Sequence, residues 1–425
     1  MIAIKIVFLT SSYYPYFSAI GKCVYNLVNE MKKNHEVIVI SNMSILNLPQ
    51  EEIFDNHKII RVRTTAMKKR DIIQEQDEVF LKSKINEIKM ISLRSFEYSK
   101  VIMSKTTTQK YLVKEYLKKL SNVENIDIII PTCYPFESIL ASQKYKRKYN
   151  KNVKIIPFLF DKFSDSPTLH RNNINKKWKY KEHLVLEEKM IKDAEKVFYV
   201  DSWIDHTEKH FKKYRKKFIH VEHPLIVEYN HGKLNKKIKN EDNFIDIVYT
   251  GVLDKKVRSP FRTLKIISKL VEKNNKLRFH FYVLGNCGNE LDEYHMEYPN
   301  NIFNHGQVKS DVALFKIMES NILLSIGNTD VSLIPSKIFE YMSCGKPIIH
   351  FYTSEDDRVI SLLNNYNLGF CVKQDKEIDE HMINQITEFF DVNKFRNMPF
   401  DEVEKNFFEA TPKFISKKII NSFSD

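Results

Sequence analysis

Short runs rich in β-branched residues alternate with longer helical patterns from one end of this chain to the other, and that alternation admits few architectures. Parallel strands cannot be joined by a tight hairpin. Each needs a crossover of a dozen or more residues, usually a helix, so strand–helix alternation specifies parallel sheets covered on both faces. The runs predict strands over 4–10, 36–41, 58–62, 126–130, 154–158, 196–200 and 218–221, then over 246–249, 277–284, 322–326 and 347–350. Helices in the second group are expected to open near 260, 310, 335 and 355. A chain of 425 residues exceeds one ordinary core, so two α/β domains are expected. The basic stretch 226–243, poor in large apolar residues, reads as the linker between a first domain over 1–225 and a second over 244–392. A helical tail follows over 393–425. Within the first domain Ile72, Ile73, Val79, Leu81, Ile85, Ile88, Met90 and Ile91 recur amid Lys and Glu. That pattern reads as a helical insertion over about 66–120 packed on the domain, or as a lid or membrane-facing arm.

One segment shows ligand chemistry. Ile334-Pro335-Ser336-Lys337-Ile338-Phe339-Glu340-Tyr341-Met342-Ser343-Cys344-Gly345-Lys346-Pro347 lies between two apolar runs. Pro335 suits the first turn of a helix, where a missing N–H costs nothing, and Gly345 with Pro347 stops it. A helix entered through Pro-Ser-Lys at the end of a strand turns amide N–H groups, the Ser336 hydroxyl and the Lys337 ammonium towards whatever lies beyond, which suits a phosphate. Glu340, about one turn further in, would meet a ribose. The residues alone leave a second reading open, an ordinary helix start followed by a solvated glutamate.

The segment resembles the donor site of GT-B glycosyltransferases, particularly the retaining family four and its relatives in bacterial surface polysaccharide synthesis. Two further stretches are similar to that family in the right order. Lys5-Ile6-Val7-Phe8-Leu9-Thr10-Ser11-Ser12-Tyr13-Tyr14-Pro15, then Gly21, looks like its opening strand, loop and helix. Asp246-Ile247-Val248-Tyr249-Thr250-Gly251, with the basic loop Lys255-Lys256-Val257-Arg258, looks like the strand and phosphate loop that open its second domain. The resemblance implies two Rossmann-like doubly wound domains facing a cleft, with the C-terminal helices crossing back to the first. It also implies a nucleotide-sugar co-substrate, UDP-linked, with no further cofactor and no metal, and a glycan or lipid-linked acceptor. Two departures stand out. The family's first donor-site glutamate is replaced by Ser332, and the Arg that follows the loop glycine is replaced by Val252; Arg258, with Lys256 behind it, is the substitute.

The departing pyrophosphate of such a transfer needs positive charge or N–H dipoles, and without metal the protein must supply them. Arg258 offers a planar fork, Lys337 and Lys256 offer point charges, and the amides near Ser336 add a dipole. Gly251 and Gly285 would let backbone approach the donor, and the loop Gly306-Gln307-Val308 resembles the family segment that reads the base edge. In the first domain Tyr16, Gly21 and Thr132 would form the acceptor or phosphate loops, and Asp161 would orient or deprotonate the attacking hydroxyl. As residues alone, Gly21, Gly285, Val308 and Asp161 read equally as turns and helix caps.

Several classes are disfavoured. No G-x-G-x-x-G occurs, which removes the phosphate turn of a dehydrogenase, and no D-x-D occurs, the carboxylate pair with which GT-A transferases hold a metal. The five cysteines are odd in number, scattered and without a C-x-x-C pair, so disulfides and structural zinc are not expected. His206 and His210 share a helical spacing with Lys-rich flanks and read as a solvated face. The net charge of +13, clustered at 144–154, 209–217 and 233–239, calls for anionic partners. Nucleotide phosphates and an anionic membrane surface suit it better than nucleic acid, for which no motif is present. The first nine residues read as a strand, not a signal peptide, and no apolar run approaches the roughly 18 residues of a span. A cytoplasmic protein, peripheral on the membrane's inner face, is expected. Two rivals stay open: a sugar-nucleotide 2-epimerase of the same fold, and a non-catalytic partner subunit.

Overall fold

The computed structural model describes residues 3–43, 48–63, 67–69, 88–89, 91–92, 95, 99, 102–166, 169–170, 173–229, 244–331, 333–374 and 377–424. The chain divides into two units, Met1–Pro224 with Pro412–Asp425, and Leu225–Thr411.

The first unit runs β1 (Lys5–Thr10), α1 (Ala19–Met31), β2 (Glu36–Asn42), β3 (Glu51–Phe54), β4 (His57–Val62), α2 (Lys110–Leu120), β5 (Ile128–Pro131), α3 (Glu137–Lys148) and β6 (Lys154–Ile155). These strands make one sheet in the order β3-β4-β2-β1-β5-β6, parallel except for the β3–β4 hairpin. Central strands covered on both faces must be apolar throughout; accordingly Ile6, Val7, Phe8 and Leu9 of β1 and Ile128, Ile129 and Ile130 of β5 have no exposed surface. The hairpin was not anticipated from the sequence. Its turn is Asp55-Asn56, both with positive φ (43° and 58°), the residue types and geometry of a type I′ connection.

The strand expected over 154–158 is two strands in two sheets. Pro157 has no N–H to continue the ladder, and the chain passes through it from β6 into β7 (Phe158–Leu159). A small parallel sheet β7-β8-β9 follows, with α4 (Asn173–Asp193), β8 (Val197–Tyr199), α5 (Ile204–His210) and β9 (Phe218–His220). The expected insertion over 66–120 is corrected at its far end. Lys110–Leu120 is the crossover helix between β4 and β5, its buried Tyr116 donating to the Thr10 carbonyl at 2.6 Å. Most of 66–101 lies outside the described residues.

The second unit runs β10 (Ile245–Leu253), α6 (Phe261–Lys273), β11 (Leu277–Gly285), α7 (Gly288–Glu297), β12 (Ile302–Asn304), α8 (Ser310–Glu319), β13 (Ile322–Ile326), α9 (Lys337–Ser343), β14 (Ile348–Tyr352), α10 (Arg358–Asn364), β15 (Gly369–Lys373), α11 (Glu380–Asn393) and α12 (Phe400–Asn406). Its sheet is wholly parallel in the order β12-β11-β10-β13-β14-β15, the doubly wound order that reverses direction between its first and fourth strands. The start of the expected linker is not linker-like. Leu225 and Ile226 are buried, and both amides donate to the Ala410 carbonyl at 3.1 Å; 230–243 lies outside the described residues. The last helix, α13 (Pro412–Ser424), belongs to the first unit and packs on α1.

Candidate functional site

In open doubly wound sheets, ligands sit beyond the carboxyl ends of the strands where the order reverses, because the loops there diverge and leave a crevice. In the second unit that point lies between β10 and β13. At the end of β10, paired with the end of β11, Gly251 and Gly285 adopt φ of +148° and +128°, which L side chains rarely enter. A Cβ on Gly285 would also stand 1.9 Å from the Leu253 carbonyl oxygen.

Beyond β10 the chain folds into a tight loop, Asp254 and Arg258 exchanging backbone hydrogen bonds of 3.0 and 2.9 Å. The Asp254 carboxylate accepts from the amides of Lys256 (2.8 Å) and Val257 (3.0 Å), and these bonds hold its carboxyl below the usual range. The Arg258 guanidinium is fixed in turn. Its Nε and Nη2 donate to Asn328 Oδ1 at 3.0 and 2.7 Å. Asn328 is buried and its Nδ2 donates to the Leu333 carbonyl at 2.9 Å. Thr329 completes the tie, its amide reaching the Val257 carbonyl (2.8 Å) and its hydroxyl that of Lys256 (2.7 Å). The loops after β10 and β13 are thus one hydrogen-bonded piece bridging the reversal point, with Lys256 exposed on it. Asn328 went unread in the sequence; its signal is a Gly-Asn pair directly closing an apolar strand ahead of the Pro-Ser-Lys segment.

The segment itself departs from expectation. Helix α9 starts at Lys337 and is seven residues long, with Ser336 in helical φ/ψ before it making no side-chain capping bond. Lys337 and Glu340, expected to face phosphate and ribose separately, are ion-paired with each other across one turn. Both remain partly exposed, at 35% and 15% of their side chains, so a ligand would engage them by parting the pair. Tyr341 anchors the helix, its buried hydroxyl accepting from the Thr250 amide at 2.8 Å at the end of β10. Val308 lies in the loop after β12, two strands from β10 on the same carboxyl edge. Ser332 lies outside the described residues.

In the first unit the order reverses between β1 and β5. The loop after β1 is held from below by buried Arg61, which donates to the carbonyls of Pro49 (2.8 Å) and Tyr14 (2.9 Å) and pairs with Glu52. Tyr16 stands exposed on it. Gly21 opens α1 so close to the loop that a Cβ would lie 2.1 Å from the Ser12 carbonyl oxygen, and its amide donates to the Ser18 hydroxyl at 3.0 Å. Thr132 is corrected from a ligand-facing to a structural residue. It is fully buried, and its hydroxyl is engaged with the carbonyls of Leu9 (3.2 Å) and Tyr134 (2.9 Å). Asp161 is exposed at the same edge, its amide donating to Cys133 Sγ at 3.2 Å. The Cys133 thiol beside it is pushed up to about 12 by burial and by the Asp161 charge.

His206, expected on a solvated face, is buried and bonds to the fully buried Glu187 at 2.9 Å. Among the described residues one group of side chains converges as cation ligands would, Asp201, His220 and Glu222 near the ends of β8 and β9. There Asp201 Oδ1 and His220 Nε2 are already bonded at 2.6 Å.

No family model matches this chain, and no curated protein does. Solved structures do, over nearly the whole length of both partners. A sucrose-phosphate synthase from Thermosynechococcus elongatus matches with a TM-score of 0.59 at 9% identity, covering 99% of this chain and 98% of that one. The lipopolysaccharide outer core galactosyltransferase WaaB matches at 0.54 and 10%, with 99% of each chain covered. An E. coli structure described as trehalose-6-phosphate bound with UDP-2-fluoro glucose matches at 0.56 and 10%, again with 99% of each covered. The chain has the fold of these proteins, two Rossmann-like α/β domains of the GT-B type.

Proposed function

We propose that this protein is a glycosyltransferase that moves a sugar from a UDP-sugar to a growing surface glycan, lipid-linked or oligosaccharide, with retention and without metal. The observation that carries the reading is the Arg258 guanidinium, clamped by Asn328 at the reversal point of a six-stranded parallel sheet. A preorganised cation there stabilises the charge that develops on a departing diphosphate without reorganising during the reaction. Lys256 and, once parted from Glu340, Lys337 add charge nearby. The loop holding Val308 lies two strand spacings away, about 10 Å, which is the reach from a diphosphate to its base. UDP is supported by the analogue bound in the E. coli relative, and a surface glycan by the outer core galactosyltransferase.

To Asp161, exposed in the first unit, the reading gives the orienting of an acceptor hydroxyl. No side chain is assigned as nucleophile, since in a same-face transfer the leaving phosphate takes the acceptor proton.

The test is a thermal-shift screen of UDP-, GDP-, ADP- and CMP-sugars with EDTA present throughout, followed by assay of nucleotide release with the stabilising donor and membrane glycan extract. A ligand at a hundredfold excess over its Kd adds about 2.7 kcal/mol of stability. UDP-sugar stabilisation with acceptor-dependent UDP release supports the reading. Stabilisation without acceptor-dependent release favours the epimerase, and no stabilisation by any nucleotide favours a non-catalytic subunit.

A further inference from the structure

Over its first four turns helix α4 directs polar side chains inward, unlike a helix packed on an apolar core. Asn175, Lys179, His183 and Glu187 are buried at four-residue spacing, and only the last turn buries apolar residues, Met190 and Ile191. Each of the four polar residues has a polar partner: Asn175 Nδ2 donates to the His170 carbonyl (2.9 Å), Lys179 Nζ donates to the Ser104 carbonyl, His183 Nε2 accepts from the Thr107 amide (3.0 Å), and Glu187 accepts from the Ser164 amide (3.0 Å). Its outer face shows large apolar side chains instead, Ile174 at 83%, Trp178 at 61% and Val185 at 59% exposure. At 3.6 residues per turn, Ile174, Trp178, Lys181, Val185 and Lys192 fall within about 60° of arc. The exposed charges of the helix are Lys177, Lys181, Lys189 and Lys192 against Glu182. The neighbouring turn Lys212–Lys217 extends the basic surface, joined to the helix by the 2.7 Å pair of Lys213 with Glu188, and it exposes Lys212, Arg215 and Lys216.

We propose that this face of α4 docks on an anionic lipid surface. Each alternative occupant fails on one of the two features. A second copy seated on the same stripe would set lysine against lysine, and a soluble polyanion would leave Ile174, Trp178 and Val185 wet. An anionic bilayer meets both, because Trp and aliphatic side chains enter the headgroup boundary while Lys and Arg pair with lipid phosphates. The inference does not rest on glycosyl transfer.

The chain holds two tryptophans, Trp178 and the fully buried Trp203, so Trp178 is a built-in reporter. Full-length protein is mixed with vesicles of phosphatidylcholine alone or with phosphatidylglycerol. Expected are co-sedimentation and a blue shift of tryptophan emission with the anionic vesicles only, both reversed by high salt as the Debye length shrinks. The combined variant Ile174→Ser, Trp178→Ser, Val185→Ser is expected to lose about tenfold or more of that partitioning, with its melting temperature unchanged. Equal sedimentation of wild type and variant overturns the proposal, as does equal binding to neutral vesicles. A concentration-dependent emission shift without lipid, abolished by the same variant, also overturns it by making a second copy the occupant.

Discussion

The chemistry proposed for this protein concentrates on Arg258, and what fixes Arg258 is Asn328, whose single carbonyl oxygen takes two guanidinium donors. Arg258→Ala is expected to lower kcat by about 10²–10³ with a smaller change in KM, the magnitude for losing one donor aimed at developing charge. Asn328→Ala keeps the charge and frees its position, for an expected loss of about 10–100-fold. Asn328→Asp, which holds the position while neutralising the charge, should fall between them. Steady-state kinetics on the three variants checks this, and equal activity of all three with wild type would return Arg258 to the status of a surface residue. Glu340→Ala is expected to weaken UDP binding by about 1.5–3 kcal/mol, the contribution of a hydrogen bond to a charged acceptor, with the melting temperature of the free protein retained; calorimetric titration reads the first and a thermal scan the second. Arg258, Lys256, Lys337 and Glu340 could be singled out as candidates from sequence because charged residues beyond a strand end and at a helix start carry chemistry in their residue type. Their pairings were not, since Asn328 meets Arg258 across 70 positions and the closing of the Lys337–Glu340 pair is a choice of rotamer.

Strands were read where burial on both faces leaves an unbroken apolar run, and misread where one residue changes the ladder, as at Pro157. Helix α9 was placed correctly in the chain but started two residues early, since Pro335 is tolerated both in a first turn and just before it. The buried His206–Glu187 pair was illegible for a different reason: its partners lie on separate helices, and periodicity reports one helix at a time. Thr132 shows the same limit, a strand-end hydroxyl turned inward to two carbonyls. A tight constraint between elements lies at Gly285, where β11 meets the Leu253 carbonyl of β10. Gly285→Ala combines a disfavoured φ with that overlap and is expected to destabilise the second unit by about 1–3 kcal/mol, which chemical denaturation will show; a change within error would mean that the strand ends separate freely.

The doubly wound layout of the whole molecule followed from the alternation of patterns, whereas the exchange of Pro412–Asp425 into the first unit rested on resemblance alone. At the scale of the whole chain the buried histidines predict acid sensitivity. His183 is fully buried, and burial lowers it from its ordinary 6.5 to about 3. Its Nε2 accepts from the Thr107 amide, so a proton there would set donor against donor. The unfolded chain takes up that proton as pH falls below about 6.5 while the folded chain stays neutral; stability is therefore full above that pH and is lost progressively towards 3. Burial lowers His223 to about 4 and so adds to the same slope. Melting temperature is expected to fall steadily from pH 7 to pH 4, and a flat profile would show these histidines charged in the fold. The most direct measurement of all is a crystal structure with UDP bound. The diphosphate is expected against Arg258, between the loops that follow β10 and β13, with the base towards Val308. UDP bound elsewhere, or a diphosphate with no contact to Arg258, would contradict the proposed site and the chemistry built on it.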